Sequence, residues 1–316
     1  MEQSLERYAP VGGGVELCYD TVGDLKDPCL LLIMGLGGPL TWWSPELCRL
    51  LAGRGFFVVR FDNRDVGRST KLDRFGGRRA HVVKSFFNAR TPPPYTLSDM
   101  ATDAVGLLDH LGIEQANVTG ISMGGMIAQT LAIEHPERVL SLVCIMSTTG
   151  RRSVGWQDPR LLPRMLGRGR QARETYMEQS ARTWQAIGSP AYPISAQEAR
   201  QRAGETFDRG ISPSGVIRQL QAVLAQPDRS AELRSVRLPT LVIHGLSDRL
   251  VHVSGGRATA KAIPDAELVL VPGMGHDMPR ELWPVLADGI QRTAQRSQPA
   301  SSDATSSSSS PSSSRR

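Results

Sequence analysis

The six residues Gly120-Ile121-Ser122-Met123-Gly124-Gly125 constrain this chain more than any other stretch. They close a strand read at residues 116–122 and lead into residues 123–136, a helical pattern that proline ends. A G-x-S-x-G sequence between a strand and a helix predicts a strained turn that presents the serine hydroxyl at the sheet edge. The flanking glycines let strand and helix approach where a Cβ would clash. Alone, the motif could be a glycine-rich turn with an incidental serine. The strand before it and the helix after it mark Ser122 as a nucleophile.

The rest of the chain supplies a matching scaffold. Residues 5–19, with glycines at 12–14, predict an antiparallel hairpin at a sheet edge. Residues 29–35 (CLLLIMG), 56–63 (FFVVRFDN), 139–147 (VLSLVCIMS), 239–245 (PTLVIHG) and 267–273 (ELVLVPG) read as strands. Continuous apolar runs of this kind belong to a sheet buried on both faces. Helical patterns lie at 44–53, 96–111, 258–263 and 281–296, with Thr96 and Gly112 as start and stop signals for the second. This alternation predicts an α/β fold with a mostly parallel sheet. It ceases over residues 150–228, which are polar, arginine-rich and punctuated by proline, with scattered Trp156, Met165, Tyr176, Met177 and Trp184. That segment reads as an inserted helical lid over the carboxyl ends of the strands, where such sheets bind ligands. The expected organisation is a core of 1–149 and 229–296, the lid, and a serine-rich tail, 297–316, too poor in apolar residues to order.

A serine hydroxyl needs a base. His276 lies in Gly273-Met274-Gly275-His276-Asp277, on a glycine-rich loop after the last strand. Of the other histidines, His110 and His135 lie in or at the end of helices, His81 in a basic loop, His244 at a strand end and His252 just beyond. The base needs an acid to fix its tautomer. Asp248 follows the preceding strand in His244-Gly245-Leu246-Ser247-Asp248. Asp277 is the rival, but an immediate neighbour points away from the same imidazole; Asp228 and Asp265 fit the strand ends less well. Acyl transfer also needs two N–H donors for the oxyanion, each worth about 10²–10³ in turnover. Met123, after the nucleophile, and Leu36, in the loop Met34-Gly35-Leu36-Gly37-Gly38, are the candidates. Trp42, Trp43 and Trp184 are candidate pocket walls, and the first two could equally be core residues.

Composition excludes other classes. A chain of 316 residues with 40% apolar content suits one α/β domain with an insertion, or two small domains. The net charge of +6 is mild and no five basic residues are consecutive, so no nucleic-acid surface is expected. No C-x-x-C pair occurs among Cys18, Cys29, Cys48 and Cys144, which suits reduced thiols. The N-terminal residues lack an apolar leader, and no apolar run is long enough for a membrane span; a cytoplasmic protein is expected. No metal-ligand spacing, Walker lysine or G-x-G-x-x-G helix start is present, so no metal or other cofactor is expected. The lid arginines Arg160, Arg164, Arg168, Arg170 and Arg173 read as solvated surface, though an anionic substrate could use one of them.

LLIMGLGG, FDNRDVGRS, GISMGGMIAQ, PTLVIHGLSD and VPGMGHDMP together resemble the α/β-hydrolase superfamily over residues 15–292. They look most like actinobacterial carboxylesterases and lipases related to aclacinomycin methylesterase. The resemblance implies nucleophile Ser122, acid Asp248, base His276 and oxyanion donors Leu36 and Met123, in the chain order Ser, Asp, His. It implies hydrolysis of a small or lipid-like ester without a cofactor. An enol-lactonase, a thioesterase or a cofactor-free perhydrolase would use the same triad, and a non-catalytic ligand receptor is the reading from another class. Two positions depart from the pattern. Met34 stands where many relatives have histidine, and Asp65 stands at a glycine position of D-x-R-G-x-G.

Overall fold

The computed structural model describes residues 3–76, 92–161 and 171–297. His81, Met165, Arg164, Arg168, Arg170 and residues 298–316 of the serine-rich tail lie outside the described residues.

Eight strands form one sheet: β1 (Arg7–Gly12), β2 (Val15–Val22), β3 (Cys29–Ile33), β4 (Phe57–Phe61), β5 (Ala116–Ile121), β6 (Val139–Ile145), β7 (Thr240–Gly245) and β8 (Glu267–Val271). Their order across the sheet is β1-β2-β4-β3-β5-β6-β7-β8. The β1–β2 hairpin and the β2–β4 pair are antiparallel; from β4 to β8 every pairing is parallel. Eight helices accompany them among the described residues: α1 (Pro45–Ala52), α2 (Leu97–His110), α3 (Met123–Glu134), α4 (Arg173–Ile187), α5 (Ala196–Gly210), α6 (Pro213–Ala225), α7 (Ser254–Ala262) and α8 (Trp283–Gln295). Local chemistry sets their ends. Ser44 accepts from the Glu46 and Leu47 N–H groups ahead of α1, and Thr96 and Asp99 close a capping box at α2.

The apolar strands pack on both faces. Leu31 and Ile33 of β3 face a cluster with Val59, Val118 and residues of α2 and α3. Leu30 and Leu32 face the opposite cluster, with Val58, Val143 and residues of α1 and α8. This is why the strand shows no alternation in sequence. All four cysteines are buried and free. No helix among the described residues is long and apolar enough to cross a membrane.

Between β6 and β7 the chain leaves the sheet and forms α4, α5 and α6. Helices α5 and α6 are tied to the loop after β4 by buried ion pairs. Arg209 of α5 donates from Nη2 to Asp62 at 2.7 Å. Arg218 of α6 donates from Nε and Nη2 to the two Asp65 oxygens at 2.8 and 2.6 Å. Asp65 holds a left-handed backbone, φ 71°, the conformation that the glycine of the family pattern would take without strain. An aspartate tolerates it better than most residues. Here its carboxylate also accepts from Tyr95 Oη and the Leu72 N–H, each at 2.8 Å. The departure from the pattern thus converts a permissive glycine into an anchor for α6.

Because both partners are wholly buried, removing one leaves an uncompensated charge. Arg218→Met is expected to cost about 3–5 kcal/mol in urea unfolding, and Asp65→Gly with Arg218→Met to cost less than the sum of the two single changes. Strictly additive losses would show that the two residues are not coupled.

Candidate active site

The turn between β5 and α3 places Ser122. Its φ of 56° is left-handed, a conformation costly for serine and tolerated where surrounding structure over-determines it. That structure is close backbone packing. A Cβ on Gly120 would lie 2.1 Å from the Gly124 carbonyl oxygen, and one on Gly124 would lie 2.1 Å from that of Ile33. The Ser122 N–H donates to the Ile145 carbonyl at 2.9 Å, and the Ser147 hydroxyl donates to the Ser122 carbonyl at 2.8 Å. Strands β3 and β6 therefore grip the turn from both sides.

His276 and Asp248 converge on this serine from the loops after β8 and β7. His276 Nδ1 lies 2.7 Å from Asp248 Oδ2, and its Nε2 lies 3.0 Å from Ser122 Oγ. A carboxylate only accepts, so Nδ1 carries the proton and Nε2 is left to accept from the serine hydroxyl. Asp248 is saturated as an anion. Its Oδ1 accepts from the Leu250 and Val251 N–H groups, each at 2.8 Å. Burial alone would raise its pKa, but His276 and His244 outweigh that and hold it well below the usual carboxylate range.

His244 is a neighbour that the sequence pattern marked only as the end of a strand. It is fully buried, donates from Nε2 to the Val251 carbonyl at 2.8 Å and lies 3.4 Å from Asp248 Oδ2. The only sequence signal was its place four residues before Asp248. Asp277 accepts from the Ser189 hydroxyl instead of reaching His276. Asp228 and Asp265 are exposed, far from this role.

The loop after β3 passes directly over the serine: a Cβ on Gly35 would lie 3.1 Å from Ser122 Cβ. The backbone N–H of Leu36 has no partner among the described residues. That of Met123 is the first of α3, where no intrahelical acceptor exists. The Met123 side chain itself is core. The next N–H of the loop, that of Gly37, is held by Gln219 Oε1 of α6 at 2.8 Å, while Gln219 Nε2 donates to the Arg64 carbonyl at 2.8 Å. Sequence reading did not find Gln219, because nothing local distinguishes it from Gln221 on the same helix.

Ser122 and His276 open into a cavity of about 950 Å³ lined also by residues of α4, α5 and α6. Trp42 and Trp184 both line it, edge to face with ring centroids 4.8 Å apart, and Trp42 Nε1 donates to Thr206 Oγ1 at 3.0 Å. Trp43 does not. It is 1% exposed and packs among Leu47, Val58 and other residues behind the sheet. Adjacent side chains at the end of the short 3₁₀ turn Leu40–Trp42 diverge, so one indole faces the cavity and the next the core. Among the described residues no cluster of histidine, cysteine, aspartate and glutamate could hold a metal ion.

The family described by the alpha/beta hydrolase fold matches residues 28–279. The chain belongs to that family. Rhodomycin D methylesterase DauP of Streptomyces sp. (strain C5) is 31% identical over 303 residues, covering 87% of this chain and 94% of the relative. 3-oxoadipate enol-lactonase 2 of Acinetobacter baylyi is 30% identical, covering 80% and 84%. Among solved structures, the enol-lactonase from Burkholderia xenovorans LB400 superimposes with a TM-score of 0.69 at 24% identity, covering 92% of this chain and all of that one. This last likeness bears on the fold. The methylesterase match agrees with the branch that the motifs resemble.

The lowered Asp248 pKa has a stability consequence. The unfolded carboxyl titrates near ~3.9, so below that the unfolded state binds more protons than the folded one. Stability from Asp248 is complete above this value and lost as pH falls toward the folded pKa. The urea-unfolding free energy of Asp248→Asn should therefore fall less steeply between about pH 6 and pH 3 than that of the wild type; parallel slopes would contradict it.

Proposed function

We propose that this hydrolase cleaves a carboxylic ester of a small or lipid-like substrate through an acyl-serine. The observation that carries this is the unbroken chain from Asp248 through His276 to Ser122 at 2.7 and 3.0 Å, opening into the cavity. His276 Nε2 takes the Ser122 proton as Oγ attacks the carbonyl carbon. Negative charge develops on the carbonyl oxygen, where the Leu36 and Met123 N–H groups donate. His276 returns the proton to the departing alcohol, and the acyl group stays on Oγ. A water then repeats the sequence with His276 as base and releases the acid. Asp248 holds the imidazole in the required tautomer and stabilises its charged form. No cofactor enters.

The segment 150–228 acts as the lid, because α4, α5 and α6 supply much of the wall opposite the serine. Its apolar lining, with Trp42 and Trp184, suits an apolar acyl or alcohol group. The methylesterase relative supports an acyclic ester. The enol-lactonase relative makes cyclic esters the second class to assay, since a lactone presents the same carbonyl to the same groups.

A fluorophosphonate is expected to modify Ser122 stoichiometrically, as located by peptide mass spectrometry, and to leave Ser122→Ala unmodified. Ester hydrolysis should fall by at least about 10⁴-fold in Ser122→Ala and His276→Ala. A folded wild type that takes no label would favour the receptor reading.

A further inference from the structure

The buried arginines among the described residues are each hydrogen-bonded to a partner side chain, and the half-buried Arg202 is not. Arg60 pairs with Asp20, Arg209 with Asp62 and Arg218 with Asp65, and Arg229 donates to Gln129. Arg202, on α5, lies over the rings of Trp184 and Trp42 at 4.4 and 5.3 Å. Its guanidinium makes no hydrogen bond or ion pair among the described residues. Contact with the rings leaves the guanidinium N–H groups, which lie in its plane, without a protein partner among the described residues. Arg202 lines the same cavity as Ser122 and His276.

One acidic group of the cavity lining is committed elsewhere. Asp277 accepts from the Ser189 hydroxyl, and burial raises its pKa. It and Glu205 favour the charged Arg202 at a distance, without contact. Burial brings the Arg202 pKa down to about 10, which leaves it cationic at neutral pH. A half-buried cation whose donors face the cavity instead of a protein acceptor is placed to meet an anionic ligand. The five arginines that the sequence pattern pointed to are different. Of those described, Arg160 is exposed and Arg173 pairs with Asp208 at the surface.

We propose that Arg202 binds a carboxylate carried by the substrate, so that the preferred substrates are esters bearing a second, anionic group away from the scissile carbonyl. The two indoles contact the guanidinium, and its paired N–H groups can be donated to both carboxylate oxygens. This rests on the serine-esterase reading of the same cavity.

The test compares p-nitrophenyl butyrate with two charged esters: the p-nitrophenyl half-ester of glutaric acid, anionic on the acyl side, and 4-carboxyphenyl butyrate, anionic on the alcohol side. The ratio of kcat/KM, charged over neutral, should exceed one for at least one of them. That ratio should fall about ten- to a hundredfold in Arg202→Gln and be partly restored in Arg202→Lys. The arm that responds tells which side of the ester faces Arg202. A readout independent of turnover uses Ser122→Ala: monomethyl glutarate should change its tryptophan fluorescence saturably, with at least tenfold weaker binding once Arg202→Gln is added. A ratio unchanged between wild type and Arg202→Gln, with neutral ester still cleaved and the melting temperature preserved, overturns the carboxylate assignment alone. Failure of the wild type to cleave any ester or to take the fluorophosphonate label overturns the esterase reading beneath it.

Discussion

The close backbone approach at the turn between β5 and α3 is the constraint on which the rest depends. Ser122 is held in a left-handed conformation because β3 and β6 close on it, with the Gly124 backbone against the Ile33 carbonyl. Such strain persists only where neighbouring structure leaves no alternative. The neighbouring structure is the parallel part of the sheet, packed on both faces by separate apolar clusters. A register error in β3 or β6 would remove the grip and let the turn relax. The continuous apolar strands therefore do more than fill a core. They fix the position of one hydroxyl to the tolerance that its contact with His276 requires.

A second dependence runs through the loop after β4. Asp62 and Asp65 there are wholly or nearly wholly buried and reach Arg209 and Arg218 on the helices between β6 and β7. Asp62 also accepts from the Leu40 N–H at 2.7 Å, and Gln219 of α6 holds the Gly37 N–H. The loop that carries Leu36 is thus fastened from the sheet side and from the helical side. Helices that shape the cavity and backbone donors proposed for the oxyanion belong to one hydrogen-bonded assembly. Changes in α6 are transmitted to the loop over Ser122 without touching any reacting group.

Much of this was legible in the sequence, and the reason is local. Strand type follows from apolar runs, helix ends from Thr96 and Gly112, and the serine turn from glycines whose missing side chains are a steric necessity. Loops after β7 and β8 place Asp248 and His276 together because parallel strands bring all their carboxyl ends to one edge. What stayed hidden depends on contacts between distant segments. His244 looked like a strand residue because its alternation puts it in the sheet, and only the return of the next loop sets it beside Asp248. Trp42 and Trp43 are chemically alike, and a single turn of backbone sends them to opposite sides. Asp65 read as a departure from a pattern; its purpose lies 153 residues away on Arg218.

The treatment of buried charge separates two kinds of residue in this cavity. Asp248 is an anion with its donors already in place, two backbone N–H groups and the His276 ring, with His244 beside them. Saturation suits a group that must stay ionised and still while a proton moves between its neighbours. Arg202 is the opposite case, a half-buried cation against two indoles whose N–H groups have no partner among the described residues. A ligand anion would supply the acceptor these donors lack, and a neutral analogue would not. In the proposed mechanism the charge completed by the fold assists the proton transfer, and the charge left open to the cavity is where one substrate would be told from another.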